Sequence, residues 1–96
     1  MAKYEETVAS QDTPLGYQQI TNLASATALT IPVGAKRALI QAEVQAVRWR
    51  DDGTDPTASV GVSLNAGDIL PYTGNLQAFR AIQIGSGAIL NMSYYG

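Results

Sequence analysis

The run ALIQAEVQAVRWRDDG, from Ala38 to Gly53, constrains the fold more than any other part of this chain. Ala38, Ile40, Ala42, Val44 and Ala46 fall on one side of a period-two pattern, and Gln41, Glu43 and Gln45 on the other. Alternation of this length predicts a half-buried β-strand and argues against a helix. After Ala46 the apolar positions change parity, to Val47 and Trp49. A regular strand would carry Arg48 and Arg50 onto the buried face, which is costly for charged groups. Two arrangements relieve that conflict. A β-bulge near Ala46 resets the facing, or the strand leaves the core and both of its faces become a contact surface. The bulge is the expectation.

Around this run the chain reads as further short strands. Tyr17–Leu23 has β-prone residues, and Thr27–Ile31 places Leu29 and Ile31 on one face. Pro32-Val33-Gly34 closes that strand, because Pro sets φ and Gly supplies the positive φ of a type II turn. Asp51–Pro56 is a loop rich in turn formers, followed by a clean alternation from Thr57 to Leu64 with Ala58, Val60, Val62 and Leu64 inward. Pro71 makes Ile69–Tyr72 an edge strand or a bend. Leu76–Ile84 is a strand with Phe79 and Ala81 opposite Arg80, Ile82 and Ile84. Gly85-Ser86-Gly87 reads as a hairpin connection to Ala88–Tyr95, which buries Leu90 and Met92.

About seven short strands at near-regular spacing predict an all-β fold, a single small β-sandwich with jelly-roll-like order. The domain is expected over residues 17–96, preceded over residues 1–16 by a poorly structured N-terminal arm. Should that arm order against a neighbour, Tyr4 and Leu15 are the residues it would bury.

Composition removes several functions. Ninety-six residues support one modest core. The absence of Cys excludes disulfides, thiolate metal sites and Cys nucleophiles; the absence of His removes the commonest general base and transition-metal ligand. With 15% charged residues and a net charge of −2, there is no electrostatic case for nucleic acid. There is no apolar run long enough to span a bilayer, and the first residues lack the apolar core of a signal peptide. Ser and Thr abound, but no base is set beside them, so no enzyme and no cofactor are expected.

The candidate contact residues are Arg48, Trp49, Arg50, Asp51, Asp52 and Asp55. Trp and Arg are enriched at binding hot spots, and Trp can stack on a sugar or an Arg. The plainer arrangement is a core Trp whose flanking arginines pair with Asp51 and Asp52. The three aspartates only loosely suggest a calcium loop and have no Glu to complete it, so a solvated acidic turn is the expectation.

The block Val47–Gly61, VRWRDDGTDPTASVG, resembles a segment of small tailed-bacteriophage proteins encoded among virion structural genes. Leu64–Asp68, Leu29–Ala35 and the ending Leu90–Tyr95 are similar as well, so the resemblance runs from about Ile20 to the end. It implies a non-enzymatic virion component, assembled in the host cytoplasm, of the capsid decoration or cement type. Such a protein would bind the major capsid protein or another virion protein as a homo-oligomer, with a homotrimer as the expectation. The alternative is a tail-fibre or spike module recognising host glycan through Trp49 and the tyrosines.

Overall fold

Two strands take up the opening run, and they lie in different sheets. The computed structural model describes residues 13–96. Its strands are β1 (Pro14–Ile20), β2 (Thr27–Ala28), β3 (Arg37–Glu43), β4 (Val47–Arg50), β5 (Val62–Leu64), β6 (Ile69–Tyr72), β7 (Arg80–Gln83) and β8 (Ile89–Tyr95). They form two four-stranded antiparallel sheets, ordered β1-β8-β3-β6 (sheet A) and β2-β7-β4-β5 (sheet B). Every connection between consecutive strands crosses from one sheet to the other, except β4 to β5.

The parity break at Ala46 is therefore a change of sheet, and the expected bulge in one continuous strand is corrected. Val44 has φ 75°, and the Gln45 N–H donates to the Glu43 carbonyl at 2.9 Å, closing a three-residue γ-turn. The chain reverses its facing there. Val44 is consequently exposed, whereas Ala42 before it and Val47 after it are fully buried. A β-branched residue at positive φ is strained.

Sheet A builds its core by setting small residues beside large ones. Tyr94 lies between Gly16 on β1 and Ala38 on β3; Leu90 lies between Ile20 and Ala42; Met92 lies between Gln18 and Ile40. The Tyr94 hydroxyl is buried and donates to Gln18 Oε1 at 2.6 Å. Gln18 Oε1 also accepts the Thr30 N–H at 3.1 Å, so this inward amide serves two donors. Sheet B contributes Val47, Leu64 and Ala81, and Leu23, Leu29, Leu76 and Phe79 from adjoining segments complete one core.

Other expectations are modified by local hydrogen bonding. Only Val62–Leu64 of the Thr57–Leu64 alternation is a strand, and Ala58, Val60 and Val62 are exposed while Leu64 is buried. Thr57 Oγ1 accepts the N–H groups of Ser59 and Val60, and the Thr57 and Val60 backbones exchange hydrogen bonds. That turn replaces the expected ladder. Leu76–Ala78 is a 3-10 turn capped by Asn75, so β7 starts only at Arg80; Phe79 and Ala81 are buried as expected. Gly85-Ser86-Gly87 carries the chain between sheets and not across a hairpin. The turn at Pro32 has the expected form, with Gly34 at φ 87° and the Ala35 N–H donating to the Pro32 carbonyl. Pro71 does lie on an edge strand. β1 starts at Pro14, inside the segment read as the arm, and residues 1–12 lie outside the described residues.

Val44→Gly is expected to leave stability unchanged or raise it by up to about 1 kcal/mol, because relief of the positive φ offsets the entropy of glycine. Urea denaturation measures this; a clear loss of stability would show that the γ-turn carries no strain.

Candidate interface

The segment from Arg48 to Asp55 lies at the exit of β4, where sheet B meets the end of β6 from sheet A. Its charged side chains are mostly engaged within the chain. Arg48 points away from the core and donates through Nε to the Ala58 carbonyl at 3.1 Å and through Nη1 to the Gly61 carbonyl at 2.9 Å. It clamps the 57–61 turn over the outer surface of sheet B, with Pro56 buried close by. Gly61 is required at the close approach: it has φ 141°, and a Cβ there would lie 3.1 Å from the Trp49 carbonyl oxygen and 3.2 Å from Arg48 Cβ.

Arg50 forms a two-pronged pair with Asp52, Nε to Oδ1 at 3.0 Å and Nη2 to Oδ2 at 2.5 Å. The hydrogen bond from Arg50 holds the Asp52 carboxyl below the ordinary carboxylate range, and the same bond raises the Arg50 guanidinium. Both groups are solvent-facing, so the pair fixes loop shape more than it stabilises the fold. Asp51 takes a different partner: its Oδ2 accepts the Tyr72 hydroxyl at 2.6 Å. That bond joins the β4 exit to β6. Asp55 is exposed and borders a small hollow with Gly53, Ala78 and Arg80. Of the local pairings considered for the two arginines, Arg50–Asp52 forms, while Arg48 binds backbone carbonyls and Asp51 binds a tyrosine. Among the described residues no group of three or more acidic side chains is arranged to hold a metal ion.

Trp49 is half-buried and packs in an aromatic cluster. It stacks on Phe79 at 5.2 Å between centroids and 16° between planes, and meets Tyr72 edge-on at 5.7 Å and 79°. Tyr72 and Phe79 complete the triangle at 5.1 Å and 69°. One face of the indole is thus covered by Phe79. The remaining surface of Trp49 borders a shallow groove with exposed Val60 and Val62. Of the two arm residues, Leu15 belongs to β1 and packs against the core, and Tyr4 lies outside the described residues.

A second surface has no counterpart among the sequence candidates. On the outer face of sheet A, Tyr17, Ser93, Leu39 and Pro71 form one row across all four strands. In the adjacent row lie Gln19, Asn91, Gln41 and Ile69. Tyr17, Leu39 and Ile69 are 66%, 42% and 59% exposed, so three large apolar side chains from three strands stand on one face. Asn91 organises its centre: Oδ1 accepts from the Tyr17 hydroxyl at 2.6 Å and Gln19 Nε2 at 3.1 Å, and Nδ2 donates to Glu43 Oε1 at 2.9 Å. The sequence did contain a signal for it, since Leu39 is an apolar residue at the polar parity of β3.

Comparison with protein-family models, with curated proteins and with solved structures finds no match to this chain.

Two predictions follow from the aromatic end of the core. Trp49→Ala should destabilise the domain by about 3 kcal/mol, since it removes a stacked, half-buried ring. An unchanged urea midpoint would mean that the indole contributes only to binding. Burial lifts the Tyr94 hydroxyl to about 12, and burial with the Asp51 hydrogen bond raises Tyr72 further. Both groups fold as neutral phenols, so their contribution is complete below the unfolded pKa of about 10 and is lost as pH rises towards the folded values. Unfolding free energy should therefore fall above pH 10, and less steeply in Tyr94→Phe; equal slopes in the two proteins would refute the assignment.

Proposed function

We propose that this chain is a non-enzymatic virion structural protein, a capsid decoration or cement protein that binds the assembled head as an oligomer. The finer fold reading belongs to the same proposal: the order β1-β8-β3-β6 over β2-β7-β4-β5 supports an eight-stranded jelly roll. Jelly rolls serve in viral capsids and in lectins alike, so the choice between those roles rests on the surface.

The observation that carries the reading is the outer face of sheet A. Its rows of Tyr17, Leu39, Pro71 and Ile69 around amide and hydroxyl groups make a largely uncharged area four strands wide, with a shallow hollow between Tyr17, Leu39 and Ile69. Such a surface suits a protein lattice, where apolar contact and shape dominate and charge is scarce at the centre. The glycan alternative depends on Trp49, and the stack with Phe79 leaves that ring less of its face for a sugar. The resemblance of Val47–Gly61 to virion proteins points the same way as the surface.

Purified capsids lacking this protein provide the test. The chain should co-sediment with them at a saturating ratio, and Leu39→Glu with Ile69→Glu should abolish that binding while leaving the circular dichroism unchanged. Failure of the parent chain to bind capsids, combined with saturable binding to host polysaccharide lost in Trp49→Ala, would replace this reading with the recognition module.

A further inference from the structure

We propose that the outer edge of β1 pairs antiparallel with β1 of a second copy, joining two A sheets across a two-fold axis. The four sheet edges are not alike. β2 is two residues long and β5 three, and β6 carries Pro71 within it; short length and proline are the usual guards against edge pairing. β1 is seven residues long, its only proline is its first residue, and it contains no charge. A register shift between Pro14 and Gly16 interrupts its first turn of pairing, but from Gly16 to Ile20 it lies in unbroken register with β8. No backbone hydrogen bond from any other described segment reaches this stretch; the neighbouring Thr13–Gly96 pair lies beyond its end. Among the described residues, one side of β1 thus carries a ladder of main-chain donors and acceptors that no other strand pairs.

A second copy is the occupant that this edge fits without any further sequence. An antiparallel pair of identical strands is self-complementary, and with no charge on β1 no like-charge repulsion opposes it. The outward side chains near the axis are Tyr17 and Gln19, a ring and an amide able to pack and hydrogen-bond across it. The contact also closes on itself: β6, the other edge of sheet A, carries Pro71, so the pairing stops at two chains and does not extend into a fibre. The buried area is small, so the dimer is expected to dissociate on dilution. Pairing is a property of the chain by itself, and its test needs no capsid.

Sedimentation of the full chain over a concentration series tests it. The mass should rise towards twice 10.1 kDa, and Tyr17→Lys with Gln19→Lys should hold it at one chain with unchanged circular dichroism. The absence of cysteine permits a second readout. Tyr17→Cys with Gln19→Cys should give a reducible covalent dimer, since every register with its axis at Tyr17, Gln18 or Gln19 places at least one sulfur pair across it, whereas Val62→Cys on β5 should not. A chain that stays single at high concentration would overturn the proposal and leave β1 to residues 1–12 or to another protein. A trimer, or a dimer that survives the lysine substitutions, would overturn it as well.

Discussion

The change of sheet at Val44 is the constraint on which the rest of the structure depends. It divides the longest alternating run into β3 and β4 and places these in opposite layers. A single strand across Arg48 and Arg50 would have buried two guanidinium groups. The γ-turn removes that cost by rotating the chain once, so that Ala42 and Val47 both reach the core and both arginines face outward. The turn is stabilised from the side by Gly67, whose N–H donates to the Ala42 carbonyl at 2.7 Å.

With the two layers set, the aromatic triangle of Trp49, Tyr72 and Phe79 holds their ends together. Trp49 comes from sheet B, Tyr72 from sheet A, and Phe79 from the turn leading into β7. The Tyr72–Asp51 hydrogen bond adds a polar tie along the same junction. Much of the Arg48–Asp55 segment is therefore occupied in fixing the loop from β4 to β5. A segment so engaged presents a rigid surface, with Asp55 and the Trp49–Val60–Val62 groove as its outward parts. The outer face of sheet A carries the functional reading instead, and it runs directly to β1 at the edge of the described sheet.

The legibility of individual elements followed the range of the interactions that set them. β3 and β8 were readable because their alternation is dense and their inner residues, Ile40, Ala42, Leu90 and Met92, are buried by direct neighbours in one sheet. The Pro32–Ala35 turn was readable because its chemistry is local. The stretch from Thr57 to Gly61 misled, since its alternation was overridden by the Thr57 turn and by the grip of Arg48 on two carbonyls. Trp49 stands out as a candidate by its type and its neighbours, but its stacking partner Phe79 lies 30 positions along the chain. The outer face of sheet A was missed because Tyr17, Leu39 and Ile69 come from three separate strands.

The sequence alone determined that this chain is all-β, where its strongest strands lie and which of their residues face inward, because a period of two is a property of neighbouring residues. It also determined the chemical inventory, without thiol or imidazole. Only the tertiary structure decided that the central run changes sheet, that Arg48 and Asp51 have partners 10 to 21 positions along the chain, and that scattered apolar side chains meet on one face beside an edge that no other described strand pairs. Those outcomes depend on strand order and register, which arise from contacts between segments distant in sequence and leave little trace in any one of them.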